Sequence, residues 1–441
     1  MDTDRTERSR LVFPSTKITI KNRKSNDITL SQQNNEDNSN SILNYINSIF
    51  NYINSIPDII MSIRIHQWNR EQWFLALSIV ILMISTSTER VTFKMTVDRM
   101  IPFRFVLIES IFLISLILYG AISFIKETFT TKITLQMKTF SHIKLLKMAI
   151  LDTIQFAGLF SSASGVSPTM TVILLHASTP CIVLGSRITF PNRKYSTIQM
   201  KGVQLMSLAI LVSLSRPLIN LFVFNDYSSF SSTLLYVFSA AFQGFSTLYK
   251  EKCIIDWSQP MDIHYLSSWL FIYQFLVALL LAPLLYVLQG ISNDWKGYPL
   301  SSIFHNIYDG WQCLCGDNPY DVEPYDPEIT ICENSIWLII GFVVSNILVL
   351  ECIGRVLQTS NQILGRAMAA AIFVAFIALG MYDVQSDTPA YGFYNSNIGI
   401  ADIISIIILI WGMEVFGRDE EPEIEVLTLY EGVSTNNNNN P

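Results

Sequence analysis

The chain has 441 residues, of which half are hydrophobic and 15% charged, and its net charge is −7. Soluble domains carry about a quarter charged residues, and they do not gather apolar residues into unbroken runs of about 20, the length that crosses a hydrocarbon core. Such runs recur along most of this chain, which argues against a soluble enzyme, and the lack of a basic stripe argues against a nucleic-acid binder.

Residues 1–43 are rich in Asn, Ser, Thr and charge and predict a disordered cytoplasmic tail, because they cannot bury enough surface to fold. They offer no early apolar core of a cleavable signal, so the first membrane helix is expected to direct insertion. Residues 44–70 follow, with NYINSI at 44–49 and again at 51–56. Ile46, Phe50, Ile53, Ile56, Ile60 and Ile63 then fall at helical spacing, which predicts an amphipathic helix lying on the membrane. A low-complexity duplication without fixed structure is the alternative.

Ten apolar segments come next: 73–93, 104–125, 146–163, 169–190, 199–222, 232–249, 264–288, 335–357, 363–381 and 397–416. The third is the weakest, since Lys147 and Asp152 shorten its apolar stretch. All ten are expected to be helices, because only a helix satisfies its own backbone where no water can. With both termini cytoplasmic, twenty-three Lys and Arg fall on the cytoplasmic side and five on the other, Arg90 lying within the membrane. The first non-cytoplasmic loop, with Lys94, Arg99 and Arg104, fits this bias worst.

The connections in 71–230 run medium, long, very short, short; those in 231–417 run medium, very long, very short, medium. Five is odd, so a duplicated five-helix unit enters the membrane from the opposite side. The predicted fold is therefore all-α integral membrane, ten helices in two inverted five-helix repeats around a midplane site.

The long loop 289–334, within the second repeat, holds eight Asp or Glu against one Lys, together with Cys313, Cys315 and Cys332. Cysteines clustered on the non-cytoplasmic side suggest a disulfide between Cys332 and either Cys313 or Cys315. A zinc site finds no ligand beyond His305 to join them. Leu300, Ile303, Phe304, Ile307 and Trp311 predict a second surface helix over 299–312. The tail 418–441 is acidic, ends in an Asn run and is expected to be disordered and cytoplasmic. Its YEGV, Tyr430 to Val433, fits a tyrosine-based pattern for adaptor binding.

Three stretches resemble the chloroquine-resistance-transporter family, a branch of the drug/metabolite transporter superfamily: LDTIQFAGLFSSASGVSPTMTVILLHASTP (151–180), FSTLYKEKCIIDWSQPMDIHYLSSWLFIYQF (245–275) and SIFHNIYDGWQCLCG (302–316). The resemblance runs from about residue 44 to about 417. It implies a ten-helix inverted-repeat carrier of a vacuolar or plastid membrane, moving cationic amino acids, small peptides or glutathione-like thiols. It also implies a cavity lined by Arg90, Asp152, His176, Ser178, Ser239, Gln274 and Asn346. Two departures bear on substrate charge: Val349 stands where an acidic residue is expected one turn from Asn346, with Glu351 two positions on, and the loop keeps three cysteines rather than four.

An ionisable residue at mid-bilayer is a functional hypothesis by default. Asp152, His176 and Glu351 are the candidates for proton coupling. Asp152 attracts a cationic solute or carries a proton, against a structural pairing with Lys147. At His176 an imidazole, which titrates in the range that separates an acidic lumen from cytosol, is weighed against a satisfied structural histidine. The residue stands in LLHASTP, where Pro180 weakens the helix and frees carbonyls. Arg90 grips a carboxylate or repels cations, against snorkelling to the interface; adjacent Glu89 points about 100° away. Glu109 is read as the ion-pair partner of Arg104, and Glu351 as that of Arg355 four residues on. Gln243, Gln274 and Asn346 suit a cavity or helix-to-helix bonding, and Ala367, Ala371 and Ala375 form a small-residue packing stripe.

No phosphate-cradling glycine loop, HExxH pattern or nucleophile elbow is present, so no enzyme, cofactor or metal role is expected. The leading expectation is a secondary active transporter that moves amino acids, small peptides, glutathione-like thiols or cationic drugs with protons out of an acidic vacuole, endosome or lysosome-like compartment. Its partners would be the small-molecule solute, protons and membrane lipid, with no nucleic acid. The alternatives are a nucleotide-sugar or sugar-phosphate exchanger, which needs several Lys or Arg in the cavity, and a non-transporting membrane receptor or scaffold.

Overall fold

A computed structural model describes residues 70–130, 133–191, 193–224, 227–257, 261–291, 302–317, 332–357, 361–385 and 399–418. Among these every regular element is helical. The N-terminal tail, the amphipathic segment up to residue 69 and the C-terminal tail with Tyr430 lie outside the described residues.

Each of the ten apolar segments forms a helix. They are α1 (Arg70–Arg99), α2 (Arg104–Phe129), α3 (His142–Ser162), a broken pair α4 (Pro168–Leu174) and α5 (Ser178–Thr189), α6 (Thr197–Phe224), α7 (Tyr227–Ile255), α8 (Ile263–Ile291), then after α9 (Ile303–Cys315) come α10 (Ser335–Leu357), α11 (Asn361–Gln385) and α12 (Ile400–Phe416). Seven of the ten, all but α3, α7 and α12, are long and apolar enough to cross a membrane. α3 is diluted by Lys144, Lys147 and Asp152, α7 by its serines and tyrosines, and α12 has only 17 residues. The molecule is an all-helical integral membrane protein, and its outer surface carries exposed Ile84, Leu211, Phe222 and Leu280 as a lipid-facing side would.

α1 outruns the apolar scan. It continues through Glu89, Arg90 and Lys94 to Arg99, so the expected loop 94–104 shrinks to Met100 and a 3-10 turn at Ile101–Phe103. The charges that made this loop a poor fit are absorbed by the fold. The buried Lys94 ammonium donates to the carbonyls of Ala163 (2.8 Å) and Val166 (3.0 Å) and pairs with Asp98 at 2.8 Å. It thereby binds carbonyls of the turn that follows α3, at the helix end where a cation is favoured. The buried Arg104 donates to the Ser161 carbonyl at 2.7 Å and to the Ser164 hydroxyl.

Two long antiparallel contacts keep a fixed register. Along α6 and α12, Gly202 faces the backbone of Phe416, Gly412 faces Met206, and Arg216 pairs with Asp402 at 3.0 Å. Along α3 and α7, Gly165 faces Ser232, Gly158 faces Ser239, and Asp152 meets Ser246. In both, small residues let backbones approach where lipid supplies no hydrophobic drive. The other main contacts join α1 to α10 and α11, α2 to α8, α3 to α8, α5 to α7, and α4 to α11.

The surface helix forms one turn later than expected, at Ile303–Cys315, and ends on Gly316 in the left-handed region that a C-terminal cap needs. Cys313 is disulfide-bonded to Cys332 just before α10, and Cys315 is free and exposed. Gly310 seats the helix on Val106 and Phe103 at the start of α2.

Candidate functional site

The predicted cavity residues separate into two groups. Asp152, Gln274 and Ser239 are buried, whereas Arg90, His176, Ser178 and Asn346 keep partial exposure.

Asp152 is the hub of the first group. Its Oδ1 accepts the Ser246 hydroxyl, and its Oδ2 accepts the Gln274 amide at 2.6 Å and faces the Lys250 ammonium at 2.7 Å. α3, α7 and α8 are thus joined at one buried carboxylate. The expected structural alternative, Lys147, is replaced by Lys250, which stands one turn beyond Ser246 on the same face of α7. Reading Lys250 only as a flanking cytoplasmic charge hid it, although the four-residue spacing from Ser246 was visible. Gln274 leaves its Oε1 buried without a donor. Ser239 lies in the α3–α7 seam, its hydroxyl turned back to the Leu235 carbonyl at 2.8 Å and packed on Gly158.

Three of the second group, Arg90, His176 and Ser178, bear on the break in the fourth segment. Residues Leu175–Ala177 form a 3-10 turn between α4 and α5, because Pro180 has no N–H to give the carbonyl of His176. Ser178 turns its hydroxyl to Leu175 at 3.1 Å. Gly244 of α7 lies against the Ser178 carbonyl, so the break packs on α7 without a side chain between. Arg90 of α1 acts electrostatically on both His176 and the buried Tyr236, while its guanidinium lies 3.5 Å from Glu89. Tyr236 donates to the Thr171 carbonyl at 3.2 Å, just before the break. Asn346 sits half-buried on α10.

Two expected ion pairs are corrected. Arg104 is taken by Ser161 and Ser164, and both Glu109 carboxyl oxygens are buried without a hydrogen-bond partner. Glu351 pairs with His264 at 2.7 Å, an imidazole from the first turn of α8. Around it are Lys126, whose Nζ lies 2.6 Å from His264 Nδ1 and 2.9 Å from Asp262, and the ring of Tyr119 at 5.9 Å. Asp262 also caps α8, accepting the backbone N–H of His264 (2.9 Å) and Tyr265 (3.1 Å). Burial raises the affinity of the Asp262 carboxyl for its proton, but the Lys126 ammonium and the Tyr265 N–H outweigh it and hold the group well below the usual carboxylate range. The cluster lies at the end of the bundle opposite the disulfide.

A chain of rings leads to this cluster through the core. Phe342, Phe93, Phe160, Phe156, Phe112, Phe271, Tyr119 and His264 succeed one another at centroid separations of 5.0–6.4 Å, drawing on α10, α1, α3, α2 and α8.

The sequence profile of the chloroquine-resistance transporter-like family matches residues 75–416. The chain belongs to that family. Among relatives of this transporter-like protein, Crt homolog 1 of Dictyostelium discoideum is 24% identical over 419 residues, 88% of this chain and 82% of the relative. Protein CLT1, chloroplastic, of Arabidopsis thaliana is 25% identical over 289 residues, 64% of this chain and 60% of the relative. Crt homolog 2 of Dictyostelium is 28% identical over 222 residues, covering 47% of this chain and 41% of the relative. The family match spans α1 to the end of α12, so it includes every residue of both polar groups.

Proposed function

We propose that the protein is a ten-span secondary active transporter that carries a small solute, an amino acid, peptide or glutathione-like thiol, with protons out of an acidic compartment by alternating access, both termini being cytoplasmic. The observation that carries this reading is the symmetry of helix packing. Number the membrane segments one to ten, with α4 and α5 together as the fourth. Segment five packs on ten, two on seven and four on nine; one packs on eight and nine, as six packs on three and four; three packs on seven as, less extensively, eight packs on two. Adding or subtracting five turns this set of pairs into itself, which is what two repeats of five helices require. Because five is odd, the repeats are inverted, and a solute site at their interface can open to either side in turn.

The break at His176, with Arg90 beside it, supplies what such a site needs: carbonyls released from a helix, a hydroxyl at Ser178 and one cation. Asn346 is a polar group that the second repeat adds, on its third helix. Asp152 and Gln274 serve the same reading as a buried network that holds α3, α7 and α8 together and exchanges partners as the repeats rock. A nucleotide-sugar exchanger needs several cations for its substrate. Here Lys94, Arg104, Lys126, Arg216 and Lys250 each already hold a protein partner, which favours the smaller solutes.

The test is uptake of labelled arginine and labelled glutathione by proteoliposomes under an imposed pH gradient. Uptake should rise with the gradient and fall at least tenfold in Arg90→Ala and His176→Ala. Proteoliposomes that move neither solute nor related ones under any gradient would reject transport and leave the receptor or scaffold reading.

A further inference from the structure

The cluster at the end of α8 fixes the protonation of its imidazole. An ammonium has only hydrogens to offer, and an ionised carboxylate only lone pairs. Lys126 Nζ lies 2.6 Å from His264 Nδ1, so Nδ1 must present its lone pair. Glu351 Oε1 lies 2.7 Å from Nε2, so Nε2 must carry the hydrogen. The ring is then neutral, in a single tautomer set by its two neighbours. Asp262 Oδ1 waits 3.6 Å from Nδ1.

We infer that His264 is a proton-binding residue at which a proton and the Lys126 ammonium exclude one another. While Lys126 occupies Nδ1, no second proton can enter the ring. When α2 draws Lys126 away, the freed lone pair takes one proton from water, and the new N–H turns to Asp262. The exchange balances in charge: one ammonium faces two carboxylates before it, and one imidazolium faces the same two after. Water reaches the cluster through Glu351, whose side chain is 40% exposed.

The position suits coupling. Lys126 stands in the last turn of α2, His264 in the first turn of α8 and Glu351 near the end of α10, so one proton selects between two arrangements of three helices. α2 also brings the Tyr119 ring to the imidazole. α3, the other helix packed along α8, brings His142 to Trp269 and Tyr273, and Asp152 to Gln274, but no charge to His264. That this exchange drives solute movement rests on the transport reading above; the exclusion itself does not.

The experiment is ring-nitrogen NMR of the full chain, labelled with 15N-histidine in lipid nanodiscs. The chain has five histidines, and the His264 signal is assigned by its loss in His264→Asn. The wild-type ring should show an unprotonated Nδ1 and a protonated Nε2. In Lys126→Met the ring should become doubly protonated at a pH where the wild-type ring holds one proton, and Lys126→Arg should restore the wild-type spectrum. A wild-type hydrogen on Nδ1, or unchanged protonation in Lys126→Met protein that melts like wild type, overturns the inference. If proteoliposomes move solute, Lys126→Met should also displace the pH profile of uptake. If they move none, the spectra still decide the exclusion and only the transport reading falls.

Discussion

Removing the positive and the negative member of the Asp152–Lys250 pair should have unequal effects. Lys250→Met strands a carboxylate that is 2% exposed and leaves it the Ser246 hydroxyl and the Gln274 amide as neutral donors. Breaking a buried pair from one side costs about 3–5 kcal/mol. The Lys250 side chain is 32% exposed and two donors remain, so a loss at or just below the bottom of that range, about 2–3 kcal/mol, is expected. Asp152→Asn is milder. Lys250 can then turn to water, and Gln274 can flip so that its Oε1, now without a donor, accepts the new amide. Only about 1 kcal/mol of hydrogen bonding is at stake there. The double variant should resemble Asp152→Asn, because no charge is left behind, and the two single effects should fail to add by about 2–3 kcal/mol. Thermal or denaturant unfolding of the four proteins in one detergent measures this cycle. Equal losses from both single variants, adding in the double, would show that Asp152 and Lys250 are not a coupled buried pair.

Three further outcomes follow from particular contacts. Gly202→Ala places a Cβ 2.6 Å from the backbone nitrogen of Phe416, whereas Gly120→Ala meets nothing within 4 Å; in unfolding assays the first should lose about 1–3 kcal/mol from overpacking, and the second should be neutral or gain up to about 1 kcal/mol from helix propensity. Asp262 holds its proton more weakly in the fold than in the unfolded chain, so its stabilisation is fully present above the unfolded value of about 3.9 and is lost as the pH falls through the lower folded value. Asp262→Asn should therefore melt below the wild type at pH 7, with the gap closing only in strong acid. With the reductant left out, a maleimide reagent should label Cys315 but neither Cys313 nor Cys332, and reduction should expose both and destabilise α9; labelling of Cys332 in unreduced protein would contradict the pairing.

The helices were legible because hydrocarbon demands long apolar runs, and all ten segments reappear as helices. Where the reading fell short, a charge had been taken as a boundary. α1 was cut at 93 because Lys94 reads as interface, yet its ammonium runs along the helix to carbonyls at the end of α3, a partner seventy residues away that no local window can register. The same reasoning assigned Arg104 to Glu109 and Glu351 to Arg355, pairs close in sequence. The fold gives each a distant partner, Ser161 and Ser164 for Arg104 and His264 for Glu351, groups that only the packing of facing helices brings near.

The polar residues within the helices were legible by type, and their grouping was not. Arg90, Asp152, His176, Ser178, Ser239, Gln274 and Asn346 are polar residues within apolar segments, which a sequence displays. Whether such a residue meets solute or another helix depends on the register of facing helices, and the sequence carries that register in its glycines. Gly158 and Gly165 admit Ser239 and Ser232, and that alignment sets Asp152 against Ser246 and Lys250. Reading those small residues as a ruler, with Asp152 as the next mark along it, would have moved Ser239 from the cavity into the seam and found Lys250. The break at His176 needs no such ruler, since Pro180 causes it locally, and it is there that the chain keeps polar groups partly exposed.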